Sequence, residues 1–463
     1  MAVTMTRLSG LDASMLALHN QRRPMTIAAM LLFDTPEPVR PARIAALLAE
    51  RASRVDRLRR GLPRPWWQPG ARWSDTPDFL PGAHIRWERL SHQRTPDDAA
   101  MRAWAAARLE VPLDPTRPPW RVHIATGVPG GGFAVLVMLH HALADAVAAL
   151  AIGRALFDPP PEPVADAPAK TATAASAAGV RPLTQAFARA AGVPRDLAAL
   201  PQQVWRQAGE VGAVAAAAVG AVRPGKLGAA LRGALAASPR REVAFVDLDV
   251  EDICRVRKRV GGTLNDVVLA ILTGALRTRF HQESGGSERD RTARVLVPVS
   301  VRARRRAAAD DDGNHFSGYL CELPTHLADP ADHAHAVQSM MRAHRASGAS
   351  RGAGALALLA EHLPAPVHRL ATPLLAPAAP LLLDTMVTTI PFPDTPLSLD
   401  GAPVRACYPL APLPPGGGLS MATTRYRRRV RLGLTADPAL FADLTGFATV
   451  VHDAAHALHE SCG

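Results

Sequence analysis

The chain has 463 residues, 48% hydrophobic and 20% charged, a globular balance that excludes a wholly disordered polypeptide and a length that predicts two or three domains. Lysine plus arginine exceeds aspartate plus glutamate, 53 to 41, for a net +12. Only Lys170, Lys226 and Lys258 are lysines, so arginine carries almost all of this charge. A basic surplus suits nucleic acid, anionic lipid or a phosphate-bearing substrate. Nucleic acid is set aside: the chain has no zinc-finger spacing, no aromatic RNA-binding strand and no basic zipper, and 5% aromatics leaves few stacking platforms.

Cys254, Cys321, Cys407 and Cys462 are far apart and form no CxxC pair. That spacing argues against a disulfide framework or a structural zinc and points to a reducing cytoplasm. The opening MAVTMTRLSGLDASM lacks the apolar core of a secretory signal. No charge-free apolar run reaches the roughly 18 residues of a membrane span. Integral insertion is therefore not expected, while peripheral membrane contact stays open.

In chain order, 25–33 predicts a strand, 39–54 a helix, 133–139 a short apolar strand and 145–157 a helix after it. Residues 158–182 are rich in Pro, Ala and Asp and read as a linker. Residues 183–239 are Ala-rich and helical, with Trp205 and a surplus of arginine that suit either an anionic membrane or packing on the protein itself. A strand at 241–250 opens the second half. Helices are expected at 251–259 and 264–280, strands at 294–301 and 319–323, and helices at 331–346 and 352–370. Strands at 384–390, 419–426 and 429–434 and a helix near 439–459 close the chain. The halves mix strands and helices alike, which predicts two related α/β domains at 1–157 and 241–463, joined by 158–240.

The sharpest feature is LHHALAD, Leu139 to Asp145, where an apolar strand gives way to a helix. Strand-end loops are where α/β proteins place chemistry. A neutral imidazole accepts a proton near pH 7 without large tuning. An aspartate one helical turn later either fixes the loop geometry or holds it through an arginine. The bland alternative is a structural histidine pair at a strand end. No serine or cysteine stands beside the histidines in sequence, so direct deprotonation of a substrate is the chemistry that this pattern suggests.

Other segments stand around it in order: LSGLDASML (8–16), RPMTIAAMLLF (23–33), PLDPTRPPWRVHI (112–124), TLNDVVLAILTGALR (263–277), VPVSVR (297–302) with Gly313 and Asn314, and YPLAPLPPGGGLS (408–420). Together, across nearly the whole chain, they resemble the bacterial wax ester synthase/diacylglycerol acyltransferase family. The resemblance implies an α/β fold of two chloramphenicol-acetyltransferase-like domains with an active-site tunnel between them. It implies transfer of an acyl chain from coenzyme A, as co-substrate and with no other cofactor, to a lipid hydroxyl, giving a triacylglycerol or a wax ester. His141 matches the family's general base, His140 its neighbour in the motif, and Asp145 the structural acid. Asn265 and Asp266 match a second-domain motif that shapes the site. The segment also reads as helix N-capping chemistry, with Thr263 or Asn265 as cap and Asp266 in the first turn. Arg302, at the end of VPVSVR, is the candidate partner of Asp145, or else an ordinary surface arginine. The family pattern has glycine where Ala146 stands. Its TNVPGP-like segment reads TTIPFP here, with Thr389 and Phe392 in place of Asn and Gly, so that loop is expected to be reshaped. A condensation-type acyltransferase and an inactive lipid-binding paralogue are the rival readings.

Three further patterns are set aside. His452, His456 and His459 share a helical face but lack the HExxH acid, so no metal is expected. His333 and His335 diverge on a helix. The GGG runs at 130–132 and 416–418 lack the Lys-Ser/Thr of a phosphate loop.

Overall fold

The computed structural model describes residues 6–68, 71–90, 97–158, 236–284, 292–300, 316–347, 368–369, 372–373, 376, 379–392 and 395–462. Met1–Pro159 and Arg223–Gly463 form one compact unit. The linker expected at 158–182, nearly all of the Ala-rich segment at 183–239, and the helix expected at 352–370, apart from residues 368 and 369, lie outside the described residues.

Two six-stranded sheets organise the compact unit. The first is built from β2 (Thr26–Phe33), β5 (Ile85–Arg89), β6 (Trp120–Thr126), β7 (Phe133–His140), β12 (Ser398–Leu399) and β13 (Ala402–Leu410), in the order β12-β13-β2-β7-β6-β5. The second holds β8 (Glu242–Asp249), β9 (Ala293–Ser300), β10 (Phe316–Leu323), β11 (Thr385–Ile390), β14 (Leu419–Tyr426) and β15 (Arg429–Ala436), in the order β10-β9-β11-β14-β15-β8. Short strands β1 (Thr6–Arg7), β3 (Arg60–Gly61) and β4 (Arg72–Asp75) make a third, small sheet.

The chain order does not follow the sheets. Strands β12 and β13, from the sequence block 241–463, complete the first sheet, with β13 antiparallel to β2. The block boundaries expected from sequence therefore do not separate the two sheets. The reason is local: APVRACYPL carries two prolines and no clean alternation, so it does not announce a strand. Tyr426 of β14 reinforces the crossover by accepting a hydrogen bond from the Leu397 N–H at 3.0 Å.

Strand β7 explains the layering. FAVLVMLH is buried at every position, as befits a central strand covered on both faces. Its odd residues, Phe133, Val135, Val137 and Leu139, join a core with helices α2 (Pro41–Ser53) and α4 (Ala146–Leu156). Its even residues, Ala134, Leu136 and Met138, join another core under α3 (Asp98–Leu109). The period of two thus assigns each side chain its face. The second sheet buries its own core against α5 (Val250–Val260), α6 (Leu264–Ser284), α7 (Pro330–Ser347) and α8 (Leu444–Cys462). Helix α8 begins later than its periodicity suggests, because Asp443 turns at φ 55° and its carboxylate accepts the Gly446 N–H at 2.8 Å. No single helix among the described residues is long and apolar enough to cross a membrane.

Helix α1 (Gly10–Leu18) owes its start to Ser9 and Asp12, which cap each other reciprocally at 3.0 and 3.1 Å. Its end delivers His19 to the C-terminal end of β7. The proline-rich segment before β6 is structural: Trp120 is buried and donates its indole N–H to the Leu58 carbonyl at 2.7 Å.

Candidate active site

Between the two large sheets lies a mostly apolar cavity of about 340 Å3. Alternation again decides what faces it. Val137 and Leu139 of β7 line it, and His141 continues the same parity one step past the strand. From the second sheet come Leu296 and Pro298 of β9, Met386, Thr388, Thr389 and Ile390 of β11, and Thr424 of β14. Among the described residues, Asp145 and Arg154 are the other charged or titratable side chains of the lining besides His141 and Cys407.

His141 is held by its backbone. Its N–H donates to the Met25 carbonyl at 2.7 Å. The next peptide is tied too: the Ala142 N–H donates to Nδ1 of His140 at 3.0 Å. Arg57 donates to the Leu143 carbonyl at 3.1 Å and closes the loop. The Nδ1 atom of His141 is shielded from solvent. Burial pushes the His141 imidazole below the ordinary histidine value; backbone hydrogen bonding at His141 itself and at Ala144, together with the charge of Asp145, opposes part of that shift. The ring therefore stays neutral, and able to accept a proton, further into acid than a free histidine.

His140 takes the opposite face and does not line the cavity. It is completely buried. With Nδ1 accepting from Ala142, a neutral ring must carry its proton on Nε2, which lies 3.1 Å from Nδ1 of His19. Burial, then His19 and His141, holds its pKa well below the ordinary value. Both nitrogens are committed, so His140 braces the loop and has no lone pair left for a substrate.

Asp145 is the N-cap of α4, its carboxylate accepting the Ala148 N–H at 2.9 Å. It is buried at the cavity wall. Arg302, its candidate partner, lies outside the described residues, as do Gly313 and Asn314. Ala146 is simply the first residue of α4, and neither it nor Phe392 has a positive φ. The backbone at these two places does not require glycine. Phe392 instead sets its ring edge-on to Tyr426, 5.5 Å between centroids, and forms part of the wall.

Asn265 and Asp266 part company. Asn265 accepts a hydrogen bond from the Thr389 hydroxyl, and Thr389 lies 3.1 Å from the Thr423 hydroxyl. Asn265 thus supports the cavity wall from behind. Asp266 points elsewhere: it accepts the Thr263 N–H at 2.9 Å and receives both guanidinium nitrogens of Arg345 at 2.9 Å. Thr263 is the cap and Asp266 stands in the first turn, as the capping reading expects, and the Asp266 carboxylate stands apart from the cavity lining.

Sequence reasoning missed four contributors. His19 and Met25 brace the histidine loop, Arg345 pairs Asp266, and Cys407 lines the cavity. Only His19 carried a signal, as a histidine just past a capped helix. The set-aside histidines take ordinary roles: His456 lies 3.4 Å from Glu460, His459 lies 3.8 Å from Asp252, and His333 meets the Leu327 carbonyl at 2.9 Å.

Comparison with known proteins follows this geometry. The family model for the wax ester synthase/diacylglycerol acyltransferase catalytic domain matches residues 8–268, and that for the C-terminal domain of the same family matches 312–459. The chain is 29% identical over 458 residues, 97% of its own length and 95% of the relative's, to a Mycobacterium tuberculosis protein named "Probable diacyglycerol O-acyltransferase". Among solved structures it is similar to the wax ester synthase/diacylglycerol acyltransferase of Marinobacter aquaeolei, with TM-score 0.65, 19% identity, and coverage of 99% of this chain and 100% of that one. It is also similar to the first condensation domain of the CDA synthetase, with TM-score 0.58, 17% identity, and coverage of 99% and 97%. The fold is thus that of two condensation-like, chloramphenicol-acetyltransferase-like α/β domains. With both family models in register along it, the chain belongs to the wax ester synthase/diacylglycerol acyltransferase family of enzymes.

Proposed function

We propose that the protein transfers an acyl chain from coenzyme A to a lipid hydroxyl, with diacylglycerol or a long-chain alcohol as acceptor and His141 as general base. One observation carries the reading: a backbone-braced imidazole stands in a mostly apolar cavity of about 340 Å3. An apolar cavity suits acyl and alkyl chains, and its desolvation sharpens proton transfer at the imidazole in its lining.

In this mechanism His141 removes the proton from the acceptor hydroxyl as the oxygen attacks the thioester carbonyl. The tetrahedral oxyanion collapses, the C–S bond breaks, and the imidazolium returns the proton to the departing thiolate. Atoms balance with an ester and free thiol as products. Nε2 is the nitrogen assigned to this step, because Nδ1 is shielded from solvent. Covalent catalysis through Cys407 is disfavoured: burial pushes its thiol up to about 12, so almost no thiolate exists near neutral pH. Both substrates are therefore bound together at transfer. The condensation-domain likeness concerns the fold alone, and no described feature supplies a carrier-protein preference.

The test is direct. Purified protein is incubated with radiolabelled palmitoyl-CoA and either diacylglycerol or hexadecanol, and lipids are separated by thin-layer chromatography. Labelled triacylglycerol or wax ester is expected. Absence of both products, with the acyl-CoA still bound, would overturn the reading in favour of a lipid-binding paralogue.

A further inference from the structure

The two peptide groups that flank His141 are each tied to a separate anchor, and both anchors meet at one atom. The peptide before His141 is held by the Met25 carbonyl, and the Met25 N–H donates to Nδ1 of His19 at 3.3 Å. The peptide after His141 is held by Nδ1 of His140, whose Nε2 lies 3.1 Å from the same Nδ1 of His19. Nitrogen Nδ1 of His19 must then be the unprotonated one, accepting from both. The rings of His19 and His140 are 4.7 Å apart between centroids.

We infer that His19 is a positioning residue: its Nδ1 clamps the backbone on both sides of His141 and so aims the catalytic imidazole into the cavity. This inference rests on His141 being the base. The groups facing His19 are His140 and, by charge, Asp114. Burial lowers the His19 pKa, with Asp114 opposing, so the ring keeps its acceptor at neutral pH. The clamp needs a hydrogen-bond acceptor at this point and does not need a histidine as such. Asparagine places Oδ1 where Nδ1 stands and accepts both donors. Leucine has similar bulk and accepts neither.

The experiment compares kcat, KM for palmitoyl-CoA and melting temperature in wild type, His19→Leu, His19→Asn and His141→Ala. His19→Leu should lose about 10- to 100-fold in kcat with KM nearly unchanged, the size expected of a misplaced catalytic group. His19→Asn should recover most of that loss. Leu and Asn variants with equal kcat, whether both intact or both impaired, would overturn the assignment, because an acceptor would then make no difference. His141→Ala separates the two claims. If it retains turnover, the base assignment beneath this inference fails. If it is inactive while His19→Leu is unimpaired, only the role of His19 fails.

Discussion

Arg345 of α7 grips Asp266 of α6 with two parallel hydrogen bonds of 2.9 Å each, although the aspartate is buried and the arginine is 39% exposed. The bidentate fork joins two helices that pack on the second sheet, and the Thr263 N–H supplies a third donor to the same carboxylate. Arg345→Ala should strand a buried charge. A fully buried pair broken this way costs about 3–5 kcal/mol, and the exposure of Arg345 places the loss below that range. Melting temperature should fall while KM for the acyl donor stays near wild type. A loss of activity without loss of stability would move Asp266 into the catalytic machinery.

Gly433 of β15 is fixed by proximity. A Cβ there would stand 1.9 Å from the Pro409 carbonyl of β13, where the first sheet passes against the second. Gly433→Ala should cost at least about 1–3 kcal/mol through overpacking. Since β13 also carries Cys407 and Pro409 into the cavity wall, transfer activity should fall with stability. Thermal denaturation and the transfer assay together check this, and an unaltered Gly433→Ala would contradict the sheet contact.

Asp145 makes two separable contributions. As an N-cap it is replaceable by Asn, whereas Asp145→Ala should cost about 0.5–2 kcal/mol. As a charge it raises the His141 pKa, against the lowering by burial. Asp145→Asn should therefore move the acid limb of the kcat/KM profile to lower pH, because the imidazole gives up its proton more readily. In the wild type that limb should already lie below the ordinary histidine value of about 6.5. A limb that stays in place in Asp145→Asn would show that the carboxylate does not act on the base electrostatically.

Protonation of His140 and His141 links pH to stability with a definite sign. His140 and His141 have folded-state pKa values below their unfolded ones. The unfolded chain then binds more protons below about pH 6.5, so stability is full above that value and declines as pH falls. Melting temperature should hold from pH 7.5 to about 6.5 and fall from there to pH 5, and a rise on acidification would contradict the neutral assignment.

Much of this was legible beforehand for physical reasons. Strand β7 and helix α4 announce themselves by a continuous apolar run followed by helical spacing, and Asp145 by its place one turn after the histidines. The opposite faces of His140 and His141 follow from the period of two. Strand β13 was not legible, because two prolines and an arginine hide a strand whose partner, β2, lies about 370 residues earlier in sequence. Nor was the His19 clamp, since nothing local ties residue 19 to residue 140. Asn265 and Asp266 adjoin in sequence yet diverge in space, one toward Thr389 and the other toward Arg345, as successive residues on a helix do.

The most direct measurement of the central claim is the rate of ester formation by His141→Ala against His140→Ala, with circular dichroism to confirm folding. Loss of a general base costs on the order of 100- to 10,000-fold, so His141→Ala should fall by that much with its melting temperature nearly unchanged. His140→Ala should lose stability, since it empties a fully buried site, and should lose less activity per folded molecule. A folded His141→Ala that still forms ester at near the wild-type rate would contradict the account.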